Sequence, residues 1–123
     1  HVVCRRQRQM CIRDSVSTVK AIEKELMMNG LMYRYKNKDD FGLPSSSFTV
    51  CTFWMINSLY KIGEEKKAIK LFNKLLSYSN HLNLFSEDID FKTKELLGNF
   101  PQAYSHLALI DTAITLNKHT QLA

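Results

Sequence analysis

The chain has 123 residues, is 45% hydrophobic and carries a formal net charge of +5, so it can form one small globular unit with its own core. Its apolar runs are all too short to cross a bilayer, and its three cysteines show neither a disulfide framework nor the spacing of zinc ligands. We therefore predict no membrane partner, no bound metal and no cofactor.

Residues 1–14 differ in composition from the rest of the chain. They carry four arginines and two cysteines and show no hydrophobic periodicity, which predicts a non-native or disordered tail. A basic arm for nucleic acid and an arginine-rich targeting peptide are the functional alternatives. Because the four arginines and Asp14 account for +3 of the net charge, residues 15–123 retain only +2. The positive charge is therefore weak evidence for a nucleic-acid partner, and we predict none.

The first predicted helix covers residues 16–29. Asp14 or Ser15 can cap its start, and Gly30 stands where the helix would end. Its apolar residues fall on one helical stripe, formed by Val16, Val19, Ile22 and Leu26.

Two further helices are predicted in the middle of the chain. An alternating stretch at 31–35 indicates an extended segment, and a polar stretch at 36–47 indicates a loop. Ser47 is a natural N-cap for a second helix at 48–61. After a tight turn, apolar residues at helical spacing predict a third helix at 64–79.

A short acidic run, LFSEDID, follows the third helix. If this run is extended, Glu87 shares one face with Phe85 and Ile89, and apolar company disfavours the charged form of its carboxyl group. Asp88 and Asp90 fall on the other face and are expected in solvent or in the following turn. The alternative interpretation is a plain loop rich in turn residues.

The last predicted helix runs from Pro101 to about residue 116, and residues 84–97 before it are expected to form a loop or a short hairpin. Together the elements predict an all-α fold of antiparallel helical hairpins. A tetratricopeptide-like protein-binding scaffold is the alternative, since Gly63, Ala68 and Phe72 suit such a repeat. The residues thirty-four positions later do not match, and Pro101 and the acidic run would interrupt a stacked repeat.

The stretch LFSEDIDFKTKELLGNFPQAYSHLALI closely resembles the C-terminal part of glycoside hydrolase family 15, the family of glucoamylases and α,α-trehalases. The stretches GLMYRYKNKDDFGLP and FTVCTFWMINSLYKIGEEKKAIKLFNKLL fall in the family's order as well. The catalytic domain of this family is an (α/α)6 toroid of six inner and six outer helices, and this chain has room for about four. The resemblance therefore implies that residues 15–123 form a partial toroid from the C-terminal part of that domain.

The resemblance also implies a reaction. Glu87 matches the glutamate that follows serine in the family motif and serves as general base in these inverting enzymes. The implied activity is hydrolysis of an α-glucosidic bond by a glucoamylase-like enzyme or a trehalase, on an oligosaccharide or disaccharide that contains α-linked glucose. The general acid belongs to a family segment upstream of this chain, so the chain alone is expected to be inactive. Gln102 and His106, early in the last helix, are expected to have structural roles.

Substrate-binding residues follow from the same resemblance. Arg34 and Tyr35, together with Asp39 or Asp40, match residues that contact glucose at the cleavage point, and an arginine fork suits sugar hydroxyls. Trp54 belongs to a Phe-Trp pair of the family and could stack on a sugar ring. The alternatives are a surface ion pair for Arg34 and packing in the core for Trp54. The loop at 45–47 lacks the glycine and glutamate that are common at these positions in the family, so no substrate contact is predicted from it.

Overall fold

The computed structural model describes residues 2–118, with side chains from residue 12 onward. The helices are α1 Val2–Leu26, α2 Thr49–Lys61, α3 Glu65–Leu76 and α4 Ala103–Asn117. The strands are β1 Met27–Met28, β2 Leu31–Met32, β3 Ser46–Phe48, β4 Asp88–Asp90 and β5 Leu96–Leu97. The predicted helices are confirmed in number and order, but two small antiparallel sheets correct the expectation of an all-α fold. None of the helices within residues 2–118 is long and apolar enough to span a bilayer.

Helix α2 lies at the centre of the fold. It packs against both α3 and α4, and residues around most of its circumference are buried, as expected for a helix that is apolar on more than one side. Phe53 of α2 is fully buried and meets Phe72 of α3 and Phe85 edge-on, at ring-centroid distances of 6.3 and 5.5 Å. Since Phe85 lies three residues before β4, the core extends to the base of the acidic run.

Helix α1 differs from its predicted bounds at both ends. It begins at Val2 rather than near Ser15, and the interpretation of residues 1–14 as a non-native tail stays a prediction. It ends at Leu26, because the chain then forms the β1–β2 hairpin around Asn29 and Gly30. Both turn residues have positive φ, 55° and 79°, the combination that a two-residue type I′ hairpin requires and that Asn-Gly adopts most readily. Gly30 therefore closes a hairpin and does not cap a helix.

The second sheet joins distant parts of the chain in the order β3-β4-β5. Ser47 pairs with Ile89, and its hydroxyl donates to the Ile89 carbonyl at 2.8 Å, so its expected N-cap role is wrong. Phe48, with an extended backbone, precedes α2 instead. The expected short hairpin at 84–97 is confirmed by the antiparallel pairing of β4 with β5.

Candidate active site

A groove of about 300 Å³ lies where the loop after β2 meets β3 and the start of β4. Its wall combines charged, hydroxyl and aromatic side chains from two separate parts of the chain, residues 34–48 and 87–88. The lining residues are Arg34, Tyr35, Asp39, Phe41, Gly42, Leu43, Pro44, Ser45, Ser46, Phe48, Glu87 and Asp88. Such a mixture of aromatic surface and convergent polar groups is typical of a ligand site.

Glu87 lies directly before β4 and is held through its backbone on both sides. Its N–H donates to the Asn99 carbonyl at 2.9 Å, and its carbonyl accepts the N–H of Thr49, the first residue of α2, at 3.0 Å. The half-buried carboxylate receives two more bonds at Oε2, from the backbone N–H of Asn99 at 3.3 Å and from its Nδ2 at 3.0 Å. The side chain that the sequence indicated as the base therefore lies in the groove with a defined orientation.

The first turns of α4 support the strand that leads to Glu87. His106 Nε2 accepts the N–H of Phe85 at 3.0 Å, and the backbone N–H of Gln102 donates to the Phe85 carbonyl at 2.9 Å. Ser105 Oγ donates to the Ser86 carbonyl at 2.9 Å. The expected structural role of His106 is thus confirmed, whereas Gln102 contributes its backbone N–H and a role for its side chain stays a prediction.

Asp88 occupies a different environment from the one predicted. Its carboxylate is half-buried in the groove, where Ser46 Oγ donates to Oδ2 at 2.8 Å. Desolvation raises the pKa of Asp88, and the bond from Ser46 opposes this rise, while the Glu87 charge adds to it and Arg34 opposes it. The expected solvated position is wrong because β3 pairs beside β4 and covers the side chain. Asp90 does serve the turn, accepting the N–H groups that follow at Lys92 and Thr93, both at 2.7 Å.

The loop after β2 contributes three of the predicted residues to the groove, Arg34, Tyr35 and Asp39. The Arg34 guanidinium lies over the Phe48 ring at 5.2 Å from its centroid, and Arg34 takes part in no ion pair within residues 12–118. Tyr35 donates its hydroxyl to Asp39 Oδ2 at 2.5 Å, and Phe41 N–H donates to Asp39 Oδ1 at 2.9 Å. The Tyr35 bond, followed by the Phe41 bond, lowers the pKa of Asp39. Asp39 is therefore a fixed acceptor of hydrogen bonds at the groove.

Two predicted site residues do not reach the groove. Asp40 lies on the exposed part of the loop and is absent from the groove wall. Trp54 is 48% exposed and meets Tyr104 of α4 edge-on at 5.9 Å, so its alternative position in the core is wrong as well. The groove thus unites Arg34, Tyr35 and Asp39 with Glu87.

Sequence reasoning missed three polar residues of this site. Ser46 and Asp88 meet only because β3 pairs with β4 across 42 positions, and Asn99 meets Glu87 only through the β4–β5 hairpin. The one local signal was Gly98, a glycine beside Asn99 in the stretch that resembles the family.

The chemistry available to the groove is proton transfer and hydrogen bonding to hydroxyl groups. Carboxylates accept protons, while the guanidinium and hydroxyl groups donate hydrogen bonds. Among the side chains of residues 12–118, no group of three or more histidine, cysteine, aspartate or glutamate residues could hold a metal ion.

Comparison with known proteins identifies a close set of relatives. The sequence model of "Glycosyl hydrolases family 15" matches residues 3–114. The chain is 44% identical over 101 residues to a trehalase of Mycolicibacterium smegmatis, and this alignment includes 80% of the chain and 15% of that protein. It is 42% identical over 104 residues to a trehalase of Thermoplasma volcanium, an alignment that includes 84% of this chain and 17% of that protein. It is 35% identical over 101 residues to trehalase 1 of Sulfolobus acidocaldarius, an alignment that includes 80% of this chain and 18% of that protein. The chain thus spans less than a fifth of these relatives, and no solved structure is significantly similar to it.

Proposed function

Since this chain belongs to family 15 of the glycosyl hydrolases, we propose that it is part of a catalytic domain that hydrolyses an α-glucosidic bond with inversion of configuration. The observation that carries this proposal is the position of the Glu87 carboxylate in the groove where Arg34, Tyr35 and Asp39 converge. Glu87 is the general base, which takes a proton from the attacking water while the bond to the leaving sugar breaks.

The general acid comes from another part of a longer protein. In inverting enzymes the two carboxyl groups stand roughly 6.5–9.5 Å apart, on either side of the scissile bond. Neither remaining carboxylate of the groove suits this task. Asp39 is held in its charged form by Tyr35 and Phe41, and Asp88 is the chain neighbour of Glu87, so it lies beside the base. We therefore expect the chain alone to be inactive and to complete an (α/α)6 toroid with other segments.

Trehalose is the substrate that the relatives favour, because the curated proteins that match the chain are named trehalases. Starch-type dextrins remain the second candidate, since glucoamylases share the family. In either case Arg34 donates to hydroxyl groups of the glucose unit beside the cleaved bond, and Asp39, oriented by Tyr35, accepts from them. Asp40 and Trp54 lie outside the groove and are not assigned a role in binding.

The proposal is tested by Glu87→Gln in the full-length protein that contains this chain. Glutamine keeps the shape and can still meet Asn99, but it cannot accept a proton from water. We expect kcat on trehalose to fall by roughly 100- to 10,000-fold, with KM largely kept. Turnover is measured by glucose release, and the anomer first formed is read by NMR spectroscopy.

Glu95→Gln is the matched control, because Glu95 is an exposed glutamate of the same hairpin and does not line the groove. It should retain the kcat of the unmodified protein. Near-normal turnover by the Glu87→Gln variant on both trehalose and maltodextrin would remove Glu87 from the mechanism. The tetratricopeptide-like scaffold is set aside, since a β hairpin separates α3 from α4 and the chain belongs to a hydrolase family.

A further inference from the structure

The turn that follows β5 forms a cradle around Glu87. Gly98 and Asn99 continue the ladder of the β4–β5 hairpin, in which Glu87 N–H bonds to the Asn99 carbonyl at 2.9 Å. The same Asn99 then returns two donors to the Glu87 side chain, its backbone N–H at 3.3 Å and its Nδ2 at 3.0 Å. Asn99 thus contacts both the backbone N–H and the side chain of Glu87.

Both donors reach the same carboxylate oxygen. A carboxylate only accepts hydrogen bonds, so the amide nitrogen of Asn99 must face it. Oε2 receives both bonds, whereas Oε1 has no hydrogen-bond partner among residues 12–118. The two oxygens are therefore distinct: one is held by the turn, and the other is left to meet a water molecule.

Gly98 makes this approach possible. Its φ is +75°, and a Cβ at this position would lie 3.2 Å from both Cβ and Oε2 of Glu87. Any larger residue would adopt a disfavoured backbone conformation and press on the carboxylate. A glycine at position 98 therefore lets the backbone of the turn approach the Glu87 side chain closely.

We propose that Asn99 is a positioning residue for the base, which holds Oε2 of Glu87 so that Oε1 takes the proton from the attacking water. This inference rests on the proposed role of Glu87. Loss of the Asn99 side chain leaves the substrate contacts of the groove in place but removes the shorter of the two bonds to Oε2, so the base is held only by the longer backbone bond. Small displacements of a catalytic group lower the rate strongly, by on the order of 100-fold for about 1 Å.

The first experiment replaces Asn99 in the full-length protein that contains this chain. Asn99→Ala should lower kcat on trehalose by about 10- to 100-fold and leave KM within about threefold, because the groove that binds the sugar is unchanged. Asn73→Ala is the matched control, since Asn73 is an exposed asparagine of α3 that does not line the groove. Asn99→Asp keeps the size of the side chain but cannot donate from its carboxylate, and it places a second negative charge beside Oε2 of Glu87, so it should lower kcat at least as far as Asn99→Ala.

A double-mutant cycle shows whether Asn99 acts through Glu87. In the Glu87→Gln background, adding Asn99→Ala should change the residual kcat by less than about twofold, because the group that Asn99 positions no longer functions as a base. If Asn99→Ala and Asn99→Asp keep kcat while Glu87→Gln loses it, the positioning role is wrong and the proposed function stands. An equal loss from Asn99→Ala in both backgrounds would also overturn the positioning role, because it would indicate general structural damage. If Glu87→Gln itself keeps full turnover, the proposed function fails.

Discussion

At the scale of single residues, two acids of the groove, Asp39 and Asp88, differ because their surroundings differ. Asp39 is exposed, yet two donors hold it as a carboxylate, whereas Asp88 is partly desolvated beside β3 and the Glu87 charge. Desolvation penalises the charged form, and hydrogen bonds to the carboxylate favour it. Hydrogen bonds therefore favour the charged form of Asp39, and burial disfavours that of Asp88.

The raised pKa of Asp88 predicts a contribution to stability that depends on pH. Because the folded protein binds this proton more tightly than the unfolded chain, the contribution is present below the ordinary value of 3.8 and is lost as the pH rises through the folded pKa. Asp88→Asn removes this titration. The free energy of unfolding of the unmodified protein minus that of the variant should therefore decrease as the pH rises from 3.8, measured by urea denaturation at a series of pH values. A difference that stays constant or increases with pH would contradict the desolvation of Asp88.

The sequence allowed Glu87 to be singled out as a candidate site residue, but it did not allow its hydrogen-bond partner Asn99 to be predicted. Alternation along LFSEDID placed Glu87 beside Phe85 and Ile89, and both of these are buried while Glu87 reaches the groove. The same alternation wrongly predicted that Asp88 lies in solvent. A period of two indicates which face of the strand a residue occupies, but it does not indicate which other part of the chain covers that face. Ser46 covers it here, from 42 positions earlier.

At the scale of elements, α4 acts on the site through its first turns. His106 lies at the second turn of the helix and accepts the N–H of Phe85, a residue that is 1% exposed. This bond ties the start of the acidic run to a helix that is itself packed on α2. The orientation of Glu87 thus depends on packing between elements as well as on its own hairpin.

His106→Ala should destabilise the protein. The substitution leaves the buried Phe85 N–H without its acceptor, and an unsatisfied buried donor costs about 1–3 kcal/mol. The loss is measured as a shift of the urea unfolding midpoint. His81→Ala, at an exposed position, is the control and should change the midpoint little. Equal midpoints for His106→Ala and the unmodified protein would show that water replaces this acceptor at no cost.

Helices could be predicted from periodicity and the hairpin at 84–97 from its sequence pattern, whereas the pairing of β3 with β4 could not. The predicted bounds of α2 and α3 lie within a few residues of those observed, since their apolar stripes are local signals. Strands of two or three residues carry too few positions for a period to show. The β1–β2 hairpin did have a local signal, the Asn29-Gly30 pair, whose preference for a type I′ turn outweighs its use as a helix end.

At the scale of the whole molecule, α4 has an unusual distribution of side chains. It buries mostly small residues against the core, among them Ser105, Ala108 and Thr112, and turns its large apolar residues outward. Leu107, Ile110 and Ile114 are 64%, 54% and 53% exposed and recur at helical spacing on one face. A helix that is apolar all round is normally buried on all sides.

This exposed face predicts that the 123-residue chain associates with itself when prepared alone. Adjacent large apolar side chains in contact with water favour association, and removing them from water gains roughly 25 cal/mol per Å². Replacing Leu107 and Ile114 with glutamate and lysine keeps good helix formers on α4 while placing charges on the face. Analytical ultracentrifugation should therefore show oligomers for the unmodified chain and mainly monomer for the double variant. A monomeric unmodified chain with a sharp, cooperative melt would mean that the α4 face is stable in water, and it would weaken the proposal that other segments of a toroid cover this chain.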